Sequence, residues 1–284
     1  MMKKIEPPLV DDPEELRLLS LNTRLNDFAL LDKNKNELLL QYAHYERYHG
    51  SPWEVDTIGL GDDLVKRVKS LYESPPSHQL QFIEKYRDIL SPDVCPMCGG
   101  LGKGTLDHYL PKDDYPDFTI FSKNLIPACD CNSKRNTTVK GNNEPERVIH
   151  PYYDTFILQR VYKARLSGEF ETPKISMVLV DAAHEQKDVL KFHLEEVIIN
   201  NKILNWLDKR WGEMFIKPHR LLRSYLPIGN VNKDDVKAAI SEKLTDSDEE
   251  YDTPNNWWSF LYAGLLDCEV RLADIANKVN EMRT

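Results

Sequence analysis

The sequence predicts a mostly helical α+β protein in which a small zinc-bound module lies between a helical amino-terminal region and a mixed carboxy-terminal region with a few additional short strands. Three observations carry this. Four of the five cysteines fall between Cys95 and Cys131, as a C-x2-C knuckle (Cys95, Cys98) and a second pair (Cys129, Cys131), which suits a four-thiolate structural zinc site. Before them, apolar residues recur at helical spacing. After them, a β-branched run from Ile175 to Val180 is followed by further helical repeats. The expected regions are 1–92 (helical), 93–154 (the central module) and 155–284 (mixed, mainly helical).

In chain order, Asp12 is placed to cap a first helix, with Pro13 at its first position and Glu14 and Glu15 in the first turn, where carboxylates favour the helix dipole. Leu18, Leu21, Leu25 and Phe28 follow at helical steps that put them on one face. A second helix is expected from about Asn36 to Tyr48. Its Tyr42, Tyr45 and Tyr48 read as packing groups rather than base-stacking ones, because aromatic stripes at helical spacing usually face a core. Leu64, Val65, Val68, Leu71 and Tyr72 mark a third helix. Beyond the Pro75-Pro76 break, Leu80, Ile83, Tyr86 and Leu90 mark a fourth, leading into the first knuckle. Gly99 to Thr105 reads as a flexible turn, since it lacks the G-x4-G-K-[ST] spacing of a phosphate loop and follows a knuckle rather than a strand.

Past the module, His150-Pro151-Tyr152-Tyr153-Asp154 reads as a closing turn, with His150 as a structural residue and an approach to the metal site as the alternative. Ile175 to Val180 suits a strand. Leu190, Phe192 and Leu194 alternate as a partner strand would, although Leu190, Leu194 and Val197 also fall at helical spacing. Trp206, Leu207, Trp211 and Phe215 support a helix that Pro218 interrupts, and Val236 to Leu244 another that Asn232 caps. From Trp257 through Leu261, Leu265, Leu272, Ile275 and Val279 the spacing predicts one long closing helix, on which Cys268 packs into the core.

Composition sets outer bounds. The opening Met1 to Pro8 lacks the apolar run of a signal peptide, and no later stretch is long and apolar enough to span a bilayer. A cytoplasmic address is therefore expected, and in a reducing compartment clustered cysteines bind metal rather than pair. The formal net charge of -9 opposes a simple picture of nucleic-acid binding, in which Lys and Arg neutralise phosphate. Much of that acidity sits at Asp246, Asp248, Glu249, Glu250 and Asp252, whereas Lys134, Arg135, Lys140 and Arg147 follow the cysteines. Lys134 and Arg135 are the expected phosphate contacts, with a solvated charged pair as the alternative. A basic partner subunit delivering the substrate is another way to meet the objection.

The chemistry lies between the cysteine pairs. Phosphodiester hydrolysis needs an activated water, a cation against developing charge, and stabilisation of the leaving oxygen. Neutral His108 can take a proton from water, Asp107 can bind a hard divalent cation through oxygen, and the Asn132 amide oxygen can be a second ligand. Strand alternation sends Asp107 and His108 to opposite faces unless the strand ends or bulges between them, so a strand end is expected here, with the two side chains converging.

The C-x2-C knuckle, Asp107-His108, Asn124-Leu125-Ile126-Pro127 and Cys131-Asn132 with a following lysine together resemble the HNH endonuclease family over about residues 93 to 154. The resemblance implies a ββα-metal fold, with His108 as general base and Asp107 as a ligand of a catalytic Mg2+ or Mn2+. It also implies Asn132 as the other protein ligand and Asn124 as a brace for the loop that orients His108. The Zn2+ site of Cys95, Cys98, Cys129 and Cys131 would be separate and structural. The second knuckle departs from the family pattern, since Cys129-Asp130-Cys131 is one residue shorter than C-x2-C and needs a tighter backbone bend. The whole chain is similar to HNH proteins of bacterial antiphage defence systems such as Septu. That implies a DNA-cutting effector working with a protein partner such as an ATPase subunit. The alternatives are a catalytically inactive zinc-stabilised nucleic-acid-binding or adaptor protein, and an enzyme acting on RNA.

Overall fold

The structure, a computed structural model, describes residues 2–26, 28–88, 93–102, 104–222 and 224–283. Its amino-terminal part is helical: α1 (Asp12–Leu21), α2 (Phe28–Arg47), α3 (Asp62–Glu73) and α4 (Gln81–Asp88). The cap of α1 is Asp11, whose side chain accepts from Glu14 N, rather than Asp12. Asp12 turns inward instead and accepts hydrogen bonds from Ser122 N at 2.8 Å and Ser122 Oγ at 2.6 Å. The run Leu18, Leu21, Leu25, Phe28 does not form one face, because α1 stops at Leu21 and the buried positions are Leu16 and Leu19. The second helix begins earlier than expected, at Phe28, and buries Tyr42 and Tyr45 as packing groups. In α3, Leu64, Val68, Leu71 and Tyr72 are buried. Leu80 and Ile83 are buried at the start of α4, and Leu90 lies outside the described residues.

The central strands are β1 (Thr105–His108) and β2 (Leu125–Ala128), paired antiparallel with Asp107 opposite Ile126 and His108 opposite Leu125. The short helix α5 (Cys131–Arg135) follows. Gly104 makes the approach of β1 possible. A Cβ there would lie 1.9 Å from Ala128 O and 2.3 Å from Cys129 Cα, so no other residue fits. The closing turn forms as expected, with Tyr153 N and Asp154 N both donating to His150 O.

The carboxy-terminal part opens with β3 (Tyr162–Ser167) and β4 (Lys174–Leu179), a second antiparallel pair. The strand at Ile175 is therefore present, but its partner is Tyr162–Ser167. The Leu190 stretch is α6 (Lys187–His193), running on as a π-helical turn over Leu194–Ile199, so helical spacing wins there. Then come α7 (Ile203–Ile216), α8 (Pro218–Leu222) and α9 (Lys233–Glu250). Asn232 caps α9 in a reciprocal box with Asp235. The expected long last helix is two, α10 (Trp257–Leu266) and α11 (Glu269–Glu281), with Cys268 half-buried at the N-cap of the second rather than inside a helix. In α10, Gly264 lies against β3, where a Cβ would meet Ala164 O at 2.1 Å.

Three buried apolar clusters hold the described residues together. One lies among α1, α3, α4 and one face of β1, another joins α2 to the cysteines, β2 and the closing turn, and a third occupies the carboxy-terminal part and includes Met2. The central module thus packs on helices from both sides. No helix among the described residues is long and apolar enough to cross a membrane.

Candidate active site and zinc centre

The four-cysteine site is built by two backbone reversals. Cys95 N donates to Gly100 O and Gly99 N to Cys95 O around the first knuckle. The second knuckle makes its tight bend at Asp130 (φ -68°, ψ 5°), after which α5 starts at Cys131 itself. The four Sγ atoms are buried and lie within 4.8 Å of one another. Cys95 to Cys131 is 3.6 Å and Cys98 to Cys129 is 3.5 Å. Tetrahedral zinc with Zn–S of about 2.3 Å asks for sulfurs roughly 3.8 Å apart, so the quartet fits a structural zinc and the C-x-C spacing does not prevent it. Backbone donors point at the sulfurs: Gly100 N to Cys98 Sγ, Cys129 N to Cys95 Sγ and Cys131 N to Cys129 Sγ. Such donors favour thiolates.

Three supports come from the far end of the chain. Asn201 Nδ2 donates to Cys98 Sγ at 3.1 Å and to Cys129 Sγ at 3.5 Å. His193 accepts from Ile149 N at Nδ1 and donates from Nε2 to Met97 O at 2.6 Å, so it is neutral, and burial holds it down to about 3. Trp257 Nε1 donates to Cys98 O at 2.9 Å. These residues carry no ligand spacing relative to the cysteines, and sequence reasoning missed them.

On β1 the side chains alternate. Thr105 and Asp107 face α5, where Asn132 Nδ2 donates to Thr105 Oγ1 at 3.2 Å, Asn132 Oδ1 accepts from Ser133 N at 2.8 Å, and the Asn132 side chain is near enough to Asp107 to favour its carboxylate. Leu106 and His108 face α3, where Tyr72 OH donates to Leu106 O at 2.5 Å and the Tyr72 ring lies 4.4 Å from the His108 ring. The strand does end at His108, as expected, but the side chains of Asp107 and His108 keep to opposite sides of it. Asp107 and Asn132 are brought together; His108 stands apart from them.

Arg135 is the link, and its position corrects the expectation that it meets phosphate. It is 3% exposed, and its guanidinium donates to Asp107 Oδ2 at 3.0 Å, His108 O at 3.0 Å and Thr138 O at 2.9 Å. Burial pushes the Asp107 carboxyl upward, and the Arg135 charge and the Asn132 hydrogen bond oppose that. Lys134 is also engaged, with Asp130 at 3.0 Å and Asn201 Oδ1 at 2.5 Å.

His108 is held by Thr119 O, 2.9 Å from Nε2. A carbonyl only accepts, so Nε2 carries the hydrogen and Nδ1 keeps a lone pair. Burial lowers the imidazole to about 4, the Thr119 contact raises it, and the Lys112 and Arg87 charges lower it further. Asn124 is fully buried and braces this loop: its Oδ1 accepts from Leu110 N at 2.8 Å and from Tyr45 OH at 3.1 Å. Its Nδ2 donates to Leu110 O at 3.0 Å and to Phe118 O at 3.1 Å, one residue from the carbonyl that holds His108. His150 is structural: it is buried against Tyr109 and bonded to Tyr45 OH at 2.9 Å.

No protein-family model matches the chain, and no solved structure matches it significantly. Over 94% of its length it is 27% identical to protein Ea31 of Escherichia phage lambda, of which it covers 98%. A stretch of 51 residues, 18% of the chain, is 39% identical to the Septu protein PtuB of Bacillus thuringiensis. The match spans 19% of that protein's length.

Proposed function

We propose that the chain is a zinc-stabilised HNH endonuclease that hydrolyses phosphodiester bonds of nucleic acid, DNA in the first place. We read it as the effector of an antiphage defence system that works with a protein partner such as an ATPase subunit. The observation that carries the reading is the pairing of Asp107 with Asn132 at the head of α5, directly off the cysteine quartet. The stretch resembling PtuB supports the defence setting. The nearly full-length likeness to a phage protein is compatible with the same chemistry serving either side of a phage and host conflict.

In this mechanism His108, neutral at physiological pH and bare at Nδ1, takes the proton from the attacking water. Asn124 and Thr119 fix the ring. Asp107 and Asn132 offer one carboxylate and one amide oxygen, a donor set suited to a hard cation that keeps several waters. They are the residues that would hold Mg2+ or Mn2+, which when bound supplies charge neutralisation at phosphorus and at the leaving oxygen. Arg135 opposes the effect of burial on the Asp107 carboxylate and aims it.

A second reading, a catalytically inactive nucleic-acid-binding or adaptor protein, is favoured by one observation: the His108 ring lies across β1 from Asp107. Plasmid DNA and total RNA incubated with the purified chain and Mg2+ or Mn2+ separate the two. The nuclease reading expects cutting that EDTA stops and that His108→Ala reduces by about 10² to 10⁴-fold. It fails if neither substrate is cut and His108→Ala changes nothing in a phage-protection assay.

A further inference from the structure

Arg135 is committed inside the protein and Lys134 is held by both Asp130 and Asn201, so the charge of a nucleic-acid backbone has to be met elsewhere. On the His108 side of β1, two cations from separate segments converge on one aromatic ring. The Arg87 guanidinium, from α4, lies 4.6 Å from the Tyr72 ring centroid, and the Lys112 ammonium, from the turn after β1, lies 5.3 Å from it. The same ring is the one in contact with His108. Arg87 is anchored by Nη2 donating to Tyr72 O at 3.1 Å, which spends part of its donor fork. Lys112 meets Glu73 at 3.5 Å, and the neighbouring Lys69 meets Asp113 at 2.6 Å. Both carboxylates are exposed, and exposed ion pairs contribute little. Incoming phosphate oxygens can take over these lysines at small cost. Packing Tyr72 would not need two cations, whereas a polyanion tracking past His108 would.

We propose that Arg87 and Lys112, sharing Tyr72 as a platform, form a phosphodiester-backbone contact site that presents a polynucleotide strand to His108. The proposal rests on the nuclease reading for what happens to the strand; binding alone does not need it.

The test measures binding of a labelled duplex DNA oligonucleotide, and of single-stranded DNA and RNA of the same sequence, across a salt series in a His108→Ala background. Arg87→Gln and Lys112→Gln are each expected to weaken binding several-fold and to reduce the slope of log affinity against log salt by about 1. Lys134→Gln should leave the slope in place, and Arg87→Lys with Lys112→Arg should restore it. Slopes equal to the parent's in both Gln variants overturn the proposal, as does a parent that binds none of the probes. If Arg87→Gln lowers the melting temperature, Lys112→Gln, on an exposed turn, decides the matter. DNA cutting by the intact chain with unchanged slopes would remove this site and leave the nuclease reading. The predicted slopes with no cutting would do the reverse. The relative affinities of the three probes identify the polymer.

Discussion

Two buried carboxylates, both pushed upward by burial, differ in what faces them. Asp12 accepts from the amide and hydroxyl of Ser122, and burial pushes its carboxyl up to about 6 from an ordinary 3.8. The folded chain therefore holds that proton more tightly than the unfolded one. The associated stability is complete below about pH 4 and is lost as pH rises through 6, by about 3 kcal/mol in all. Asp12→Asn should flatten the dependence of melting temperature on pH across that window; a profile parallel to the parent's would refute the assignment. Asp107, by contrast, has Arg135, and removing one partner of a buried pair costs about 3 to 5 kcal/mol. Arg135→Ala should show that loss in urea unfolding, where a solvated arginine would show almost none. Asp107, His108, Asn124 and Asn132 were all legible as candidates from sequence. The inward turn of Arg135 had a signal too: it lies three residues after Asn132, on the same side of a short helix.

At the level of elements, strong local chemistry was legible and long-range partnership was not. Asn232 announced the cap of α9, and Ile175 to Val180 announced β4. The break at Cys268 was hidden because Leu265 and Leu272 keep helical spacing across it. The partner of β4 was missed because Tyr162 to Ser167 buries only alternate residues in a short run, and propensity does not say which strand pairs with which. Close backbone approaches leave no pattern except a glycine. Gly264 marks where α10 meets β3, and Gly264→Ala should destabilise the fold by about 1 to 3 kcal/mol through overpacking. Urea titration with an unchanged m-value would check it. Within the zinc centre, Asn201→Ala removes two N–H donors to sulfur. It should weaken zinc retention about 10 to 100-fold in a chelator competition, while Cys268→Ser should leave retention unchanged.

For the whole molecule, the three apolar clusters share elements, and the cysteine quartet sits where the central and carboxy-terminal parts meet. Stripping the metal should therefore lower amide protection not only over 95–135 but also around His193, Asn201 and Trp257. Loss confined to the knuckles would show the parts to be independent. The same layout bears on how the protein is made. The last cysteine of the quartet is Cys131, yet donors to its sulfurs and carbonyls come from Asn201 and Trp257. Met2 O waits for Thr253 Oγ1, at 2.9 Å. Trp257 lies more than a hundred residues beyond Cys131, so its contact with Cys98 O forms only after that stretch has been synthesised. The four-cysteine site would then gain its last support well after its own residues have been made.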